Sequence, residues 1–239
     1  MINLPNINCD LGEGHSLDHE FMKYITACNI ACGGHYGDET SIRETVELAK
    51  KNGVFIGAHP SYPDKDNFGR KTIDILNQDL QDSIKEQIIS VKEICDELEV
   101  DLHHVKLHGA LYNDVWGNEE LSLIIIEALK SLDFGFSIYA PENSTFAKLC
   151  NSDFEVIHEA FIDRKYDNSG RLTPRTLEGS VLTSNEECWA QFHSLWKDGI
   201  CKSISGDIVE IKADTFCIHS DSSGALKNLK YISNKLRNV

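Results

Sequence analysis

Several short apolar stretches of this chain end in polar residues suited to proton transfer or ligand binding. Asp10 and Glu13 close the stretch that begins at Asn6, His35 the one from Asn29, His59 the one from Val54, and Lys106 with His108 the one from His104. Glu142 follows Ser137 to Pro141, Asp163 and Arg164 close the stretch from Val156, and His219 with Asp221 close the one from Phe216. A carboxylate at a strand end holds a cation, orients a histidine or acts as a general base. Gly12 and Gly14 beside Glu13 let a backbone or ligand come close. His35, His59 and His108, at three strand ends, resemble a metal site to which Asp10 would add a fourth ligand. The same residues suit acid–base work or plain hydrogen bonding in a polar pocket, and their wide separation gives no ligand spacing. Lys106 and His108 are two apart, so a strand turns both to one side. A lysine there needs an anion, which is either a substrate carboxylate or phosphoryl group, or a buried aspartate. Arg164, Arg171 and Arg175 beside Asp163 suit bidentate recognition of a carboxylate or phosphate, or an ion-pair network that pins a loop.

Functional groups at the downstream ends of apolar runs predict a parallel β/α barrel, in which the loops after the strands share one face. Helical spacing fills the intervals. Asp38 to Asn52 carries Ile42, Val46 and Ala49, with Gly53 as its stop. Asn77 to Leu98 carries Leu80, Ile84, Ile88, Val91, Ile94 and Leu98. Further helices are expected over Glu119 to Leu132, Ser144 to Cys150, Ser184 to Lys197 and Ser223 to Leu236. Met1 to Asp10 reads as the first strand. About seven strands then alternate with helices in one α/β domain over residues 1–239, an irregular (β/α) barrel perhaps one unit short of the eight-fold form. An open doubly wound sheet is the alternative, weakened because no phosphate-binding glycine loop follows the first strand. Ser61 to Thr72, ahead of which Pro60 stands and within which Arg70 falls, and Tyr166 to Gly179 interrupt the alternation. Long loops at the strand ends are where lids and substrate contacts sit. Ile204 to Ile211, around Gly206 and Asp207, reads as a small hairpin.

A net charge of −15 and a pI near 5.0 argue against nucleic acid and anionic membrane surfaces as partners. No stretch reaches the roughly 18 apolar residues of a spanning helix, and the first ten residues lack a signal peptide's basic start. A cytoplasmic setting is expected. The eight cysteines show no paired C-x-x-C spacing, so they read as reduced, buried thiols. Cys32, beside two glycines, is the one whose reactivity stays open. The chain has neither a G-x-S-x-G elbow nor a P-loop, which weakens serine-hydrolase and self-contained ATPase readings.

Longer motifs carry a resemblance. Asn8 to Gly14, Asn29 to His35 with Gly37 and Asp38, Gly57 to Asp64, Phe68 to Arg70, Val105 to Asn113 and Phe161 to Tyr166 together resemble the LamB/YcsF family, in order, from about residue 7 onward. Pro174-Arg175, Ala213 to Thr215 and Cys217 to His219 extend the match. Ser220 stands where the family usually has Gly, and Gly34 where it often has Phe. The resemblance implies a seven-stranded irregular barrel of the glycoside hydrolase and deacetylase type. It also implies ATP-dependent cleavage of 5-oxo-L-proline (pyroglutamate) to L-glutamate by a 5-oxoprolinase, with this chain as its A-subunit beside two partner subunits, B and C. ATP would be a co-substrate of the complex. For that reaction Asp10, His59 and His108 would move protons, and Lys106 would supply positive charge. Glu13, His35, Arg70, Asp163, Arg164, Arg175 and His219 would bind substrate. Two competing readings remain: a metal-dependent deacetylase of an acylated sugar, with a divalent ion on Asp10, His59 and His108, and a non-catalytic substrate-binding subunit.

Overall fold

Alternation inside the first strand decides the architecture. In β1 (Asn6–Leu11) the side chains of Ile7, Cys9 and Leu11 point to one face, and those of Asn8 and Asp10 to the other. Both sets are buried, so both faces of the strand must be covered. The computed structural model describes residues 5–237; the part of the expected first strand at 1–4 lies outside them. From β1 the chain runs through α1 (Asp18–Phe21), β2 (Ala27–Ala31), α2 (Glu39–Asn52), β3 (Phe55–His59), α3 (Asn77–Glu97), β4 (Leu102–Lys106) and α4 (Gly109–Asp114). It continues through α5 (Glu119–Lys130), β5 (Ser137–Ala140), α6 (Thr145–Cys150), β6 (Val156–Phe161) and α7 (Asn185–Asp198). The hairpin β7 (Ile200–Lys202) and β8 (Ile208–Glu210) follows, then β9 (Thr215–His219) and α8 (Ala225–Leu236).

Seven parallel strands, β1 to β6 and β9, close into a barrel, with β9 pairing β1 on one side and β6 on the other. The outward apolar set packs under the helices. The ends of those helices are written in the sequence: Asp38 caps α2 in a capping box with Ser41, and Gly53 ends it in the left-handed conformation. Ser144 and Ser184 cap α6 and α7. Two short helices, α1 and α4, escape the sequence reading because each is under two turns long, too short for a period to register. The hairpin is also shifted. Its first strand is Ile200–Lys202, and Ile204 and Ser205 belong to the turn, where Ser203 and Asp207 bond across and Gly206 takes a φ of 94°. The turn holds the long loop after β6: Ile204 donates to the Tyr166 carbonyl, and Asn168 to Asp207.

The barrel interior is polar. Asn8, Asn29, His104, Lys106, Glu159 and Thr215 are buried there. Asn29 donates to Asn8 (2.8 Å) and Asp10 (2.7 Å), Asn8 to Glu159 and Thr215 (both 2.9 Å), and His104 Nε2 donates to Asn29 (2.7 Å). Gly57 on β3 leaves the room that the His104 ring fills. All eight cysteines are free and buried. Cys32 is no exception, since burial pushes its thiol up to about 12 and leaves it without thiolate character. Among the described residues no helix is long and apolar enough to cross a membrane.

A methyl group at position 57 would lie 2.1 Å from His104 Nε2. Gly57→Ala is therefore expected to destabilise the fold by about 1–3 kcal/mol, read as a lowered urea midpoint with an unchanged m-value.

Candidate active site

The strand ends open into a cavity of about 720 Å³ lined by Asp10, His59, Lys106, His108, Arg70, Arg164, Arg171, Arg175 and His219, among others. The register explains the convergence: Asp10 sits level with Asn29 on β2 and His219 on β9. Asp10 Oδ1 accepts from Asn29 and, at 3.0 Å, from the Lys106 ammonium. Its Oδ2 takes no hydrogen bond from a described side chain. Burial would raise the Asp10 pKa, but the positive charges of His59 and Lys106 outweigh it and hold the carboxyl well below the usual range.

Lys106 is 2% exposed. Its ammonium also meets Glu159 Oε1 at 2.9 Å, Asn8 Oδ1 at 3.3 Å and Cys217 Sγ at 3.0 Å. Burial would lower its pKa, yet Asp10 and Glu159 keep it well above the ordinary lysine value. Of the two readings left open for this lysine, the geometry matches the internal ion pair: the ammonium is spent on Asp10 and Glu159 before any ligand arrives. Glu159 also accepts from the Tyr112 hydroxyl at 2.9 Å.

His59 Nε2 lies 3.5 Å from Asp10 Oδ1 and 3.0 Å from His108 Nδ1. His108 caps the start of α4, and its Nε2 donates to the Phe68 carbonyl at 3.0 Å. Phe68 is one of the few non-glycine residues with positive φ, at 55°. The strained turn aims that carbonyl inward. Gly69 follows because a side chain there would press on His35 and His108, and Gly109 because one would strike the Gly69 carbonyl at 2.4 Å.

Glu13 and His35 are not in the cavity wall. They lie behind His108: His35 Nε2 is 3.0 Å from Glu13 Oε1, and the His35 ring stacks on His108 with centroids 3.7 Å apart. Burial and the neighbouring Asp10 push the Glu13 carboxyl up to about 7, while burial and His59 drive His35 down to about 2. Asp163 is also withdrawn from the wall. It accepts from the His219 ring at 2.9 Å and from Ser222 at 2.9 Å. Glu13, His35 and Asp163, expected to contact a ligand, sit behind the wall residues, against His108 and His219.

Arginines occupy the rim. Asp221 receives Arg70 from the loop after β3 and Arg175 (3.2 Å) from the loop after β6, so one carboxylate ties three loops together. Arg171 donates to the Asn113 carbonyl. Arg164 is buried, donates to the Thr173 carbonyl and leaves its Nε without a partner among the described residues; burial and nearby Arg175 lower it to about 10. Asn8, Asn29 and Glu159 escape the sequence reading. Their signal is the period of two that links Asn8 to Asp10 and places Glu159 two before Phe161.

Asp10, His59 and His108 bring three potential ligand atoms within 4.8 Å of one another. Glu13, His35 and His108 form a second such group that shares His108. The Asp10 oxygen that faces His59 is bonded to the Lys106 ammonium at 3.0 Å, which leaves Oδ2 as the oxygen open to a ligand.

Residues 5–239 match the LamB/YcsF family. The A-subunit of 5-oxoprolinase from Pyrococcus abyssi is 40% identical over 95% of this chain and 91% of its own length. That of Bacillus subtilis is 36% identical over 97% and 93%. The crystal structure of the lactam utilization protein from Thermus thermophilus superposes with a TM-score of 0.90 at 31% identity, covering 98% of this chain and 96% of that one.

Two outcomes follow from the buried charges. Lys106→Met strands Asp10 and Glu159 without a cation and is expected to cost about 3–5 kcal/mol of stability. Asp10 stabilises above its unfolded pKa of about 3.9 and loses that contribution as pH falls through its lower folded value, so the gap between wild type and variant should close below about pH 4 in urea titrations. Glu13 has the opposite sign. Its raised folded pKa makes stability fall as pH rises from about 4.5 to about 7. Glu13→Gln should therefore be more stable than wild type at pH 8, by about 3 kcal/mol at most, and should lose that advantage as pH falls through about 4.5.

Proposed function

The chain belongs to the LamB/YcsF family, and from that membership we propose that it is the A-subunit of a 5-oxoprolinase, opening the ring of 5-oxo-L-proline to L-glutamate with ATP and two further subunits. One observation carries the site assignment: an aspartate held ionised, with one oxygen fixed by Asn29 and Lys106, stands in a cavity rimmed by four arginines. Asp10 Oδ2 is the oxygen left to take a proton from water. Arg164, charged and short of one partner, suits the substrate carboxylate, with Arg175 beside it. Arg70 and Arg171 add positive potential where negative charge develops during addition to the carbonyl.

A five-membered lactam is an unstrained amide and a poor electrophile, which is why the reading includes ATP. The chain has no P-loop of its own, so in this reading a partner subunit helps deliver phosphoryl transfer. The reading includes a cytoplasmic setting, in keeping with eight unpaired thiols.

The test is reconstitution. The purified chain alone should release no glutamate from 5-oxoproline, and glutamate should appear when subunits B and C are added with ATP; none from an intact mixture would sink the assignment. Asp10→Asn in that mixture should lower turnover at saturation by about 100-fold or more with substrate affinity retained. Parallel loss of affinity with turnover preserved would instead mark a binding subunit, and chelator-sensitive deacetylation a metal enzyme.

A further inference from the structure

Two cations are buried in this cavity, and only one of them is paired. Lys106 has Asp10 and Glu159 at 3.0 and 2.9 Å. Arg164 is 6% exposed, donates from Nη2 to the Thr173 carbonyl, and has neither a partner for Nε nor an ion pair among the described residues. A guanidinium carries five N–H donors and keeps its charge near neutral pH. Buried without a counter-charge, it is costly. The carboxylates that act on Arg164 are Asp163 and Asp221, and both are committed elsewhere. Asp163 accepts from His219 and Ser222, and Asp221 from Arg70 and Arg175. Arg175 adds a like charge beside Arg164, so an anion between the two would relieve both.

The root of this side chain is held firmly. Arg164 follows β6 and forms an antiparallel bridge with Val181. Lys165 donates to the Ser180 carbonyl and Leu182 to that of Asp163, both at 2.8 Å. Gln191 on α7 donates to the Arg164 carbonyl at 2.6 Å. A group fixed before its ligand arrives loses little freedom on binding. The other arginines of the mouth differ. Arg70 and Arg175 are clasped to Asp221, and Arg171 is exposed and bonds the Asn113 carbonyl.

We propose that Arg164 is the carboxylate anchor that determines which ligands this cavity accepts: small cyclic amides bearing one carboxylate bind to the chain by itself, with neither nucleotide nor another subunit, and those lacking the carboxylate are refused. This deepens the oxoprolinase reading and takes from it only the lactam ring. The guanidinium fork matches a planar carboxylate. A phosphoryl group brings roughly two charges and three strong acceptor oxygens, more than one unpaired buried cation neutralises.

Isothermal titration of the purified chain alone tests this. 5-Oxo-L-proline should bind, and 2-pyrrolidinone, the same ring without the carboxylate, should bind about 30-fold more weakly or worse. Arg164→Met should weaken 5-oxo-L-proline binding by a similar factor and leave 2-pyrrolidinone unchanged. Arg164→Lys keeps the charge without the fork and should fall between. The Met variant should melt no lower than wild type, because it removes an uncompensated charge; a lowered melting temperature would mark a residue that only pins Thr173. That result, equal affinity for the two rings, wild-type affinity in Arg164→Met, inorganic phosphate displacing 5-oxo-L-proline with higher affinity, or no binding by the chain alone would each overturn the proposal. If Arg164→Met does not fold, the wild-type ligand series and Arg164→Lys decide. In the reconstituted complex Arg164→Met should raise KM by about 30-fold or more, with kcat changed less than about threefold. Binding that depends on Arg164 with no glutamate formed would remove the oxoprolinase reading and keep the anchor. Glutamate formed by the variant with a wild-type KM would remove the anchor and keep the reading.

Discussion

The Lys106 ammonium is the charge on which the inside of the barrel depends. Small parallel barrels are ordinarily filled by branched apolar side chains. This one is filled by asparagines, a histidine, a glutamate and a lysine, linked from Thr215 through Asn8 and Asn29 to His104. Such a network stabilises only if every member is satisfied, because a half-made one leaves desolvated polar groups. Two buried carboxylates, Asp10 and Glu159, share one cation. Remove it and both must take up protons or leave the interior. The same contacts that make the interior tolerable also fix which oxygen of Asp10 faces the cavity. Stability and positioning are one set of bonds here.

Beside this core the backbone departs from ordinary geometry in the loop after β3. Phe68 and Gly69 adopt left-handed conformations in succession. The Gly69 carbonyl accepts from Ala110 at 2.9 Å, which docks the loop after β3 onto the start of α4. The Phe68 carbonyl is then in line with His108. A departure from ordinary backbone geometry where a ring nitrogen needs an acceptor is the kind of local conflict that surrounding packing has to hold in place. Gln87 on α3 does part of that holding, since it bonds both the amide and the carbonyl of Ser61 at the start of the loop.

The electrostatics of the mouth run against those of the whole chain. A protein of net charge −15 presents four arginines around one opening. Low-dielectric walls focus such a local field, so an anion is drawn to the mouth despite the acidic exterior. Asp221 moderates the field. It holds Arg70 and Arg175 together, and burial, which would raise its pKa, is outweighed by Arg175 and the other neighbouring charges, so it stays ionised.

Much of this is legible in the sequence by itself. Period-two alternation and helical spacing name the barrel strands, the long helices and their stops, because those patterns report which faces must be covered. Residues at the downstream ends of apolar runs have to share a face once the strands are parallel, which brings Asp10, His59, Lys106 and His108 together. Direction and partner stay open at that level. Lys106 reads equally as a substrate cation or an ion-pair partner, and only closure of β9 against β1 and β6, which carries Cys217 and Glu159 to the lysine, decides it. Glu13, His35 and Asp163 carry the same signal as the cavity residues but sit one layer behind them, a depth that spacing along a strand does not encode. The facing nitrogens of His59 and His108 are beyond reach for the same reason. Their orientation follows from carbonyls of Lys106 and Phe68, and which backbone oxygen meets which ring is decided only when distant segments pack.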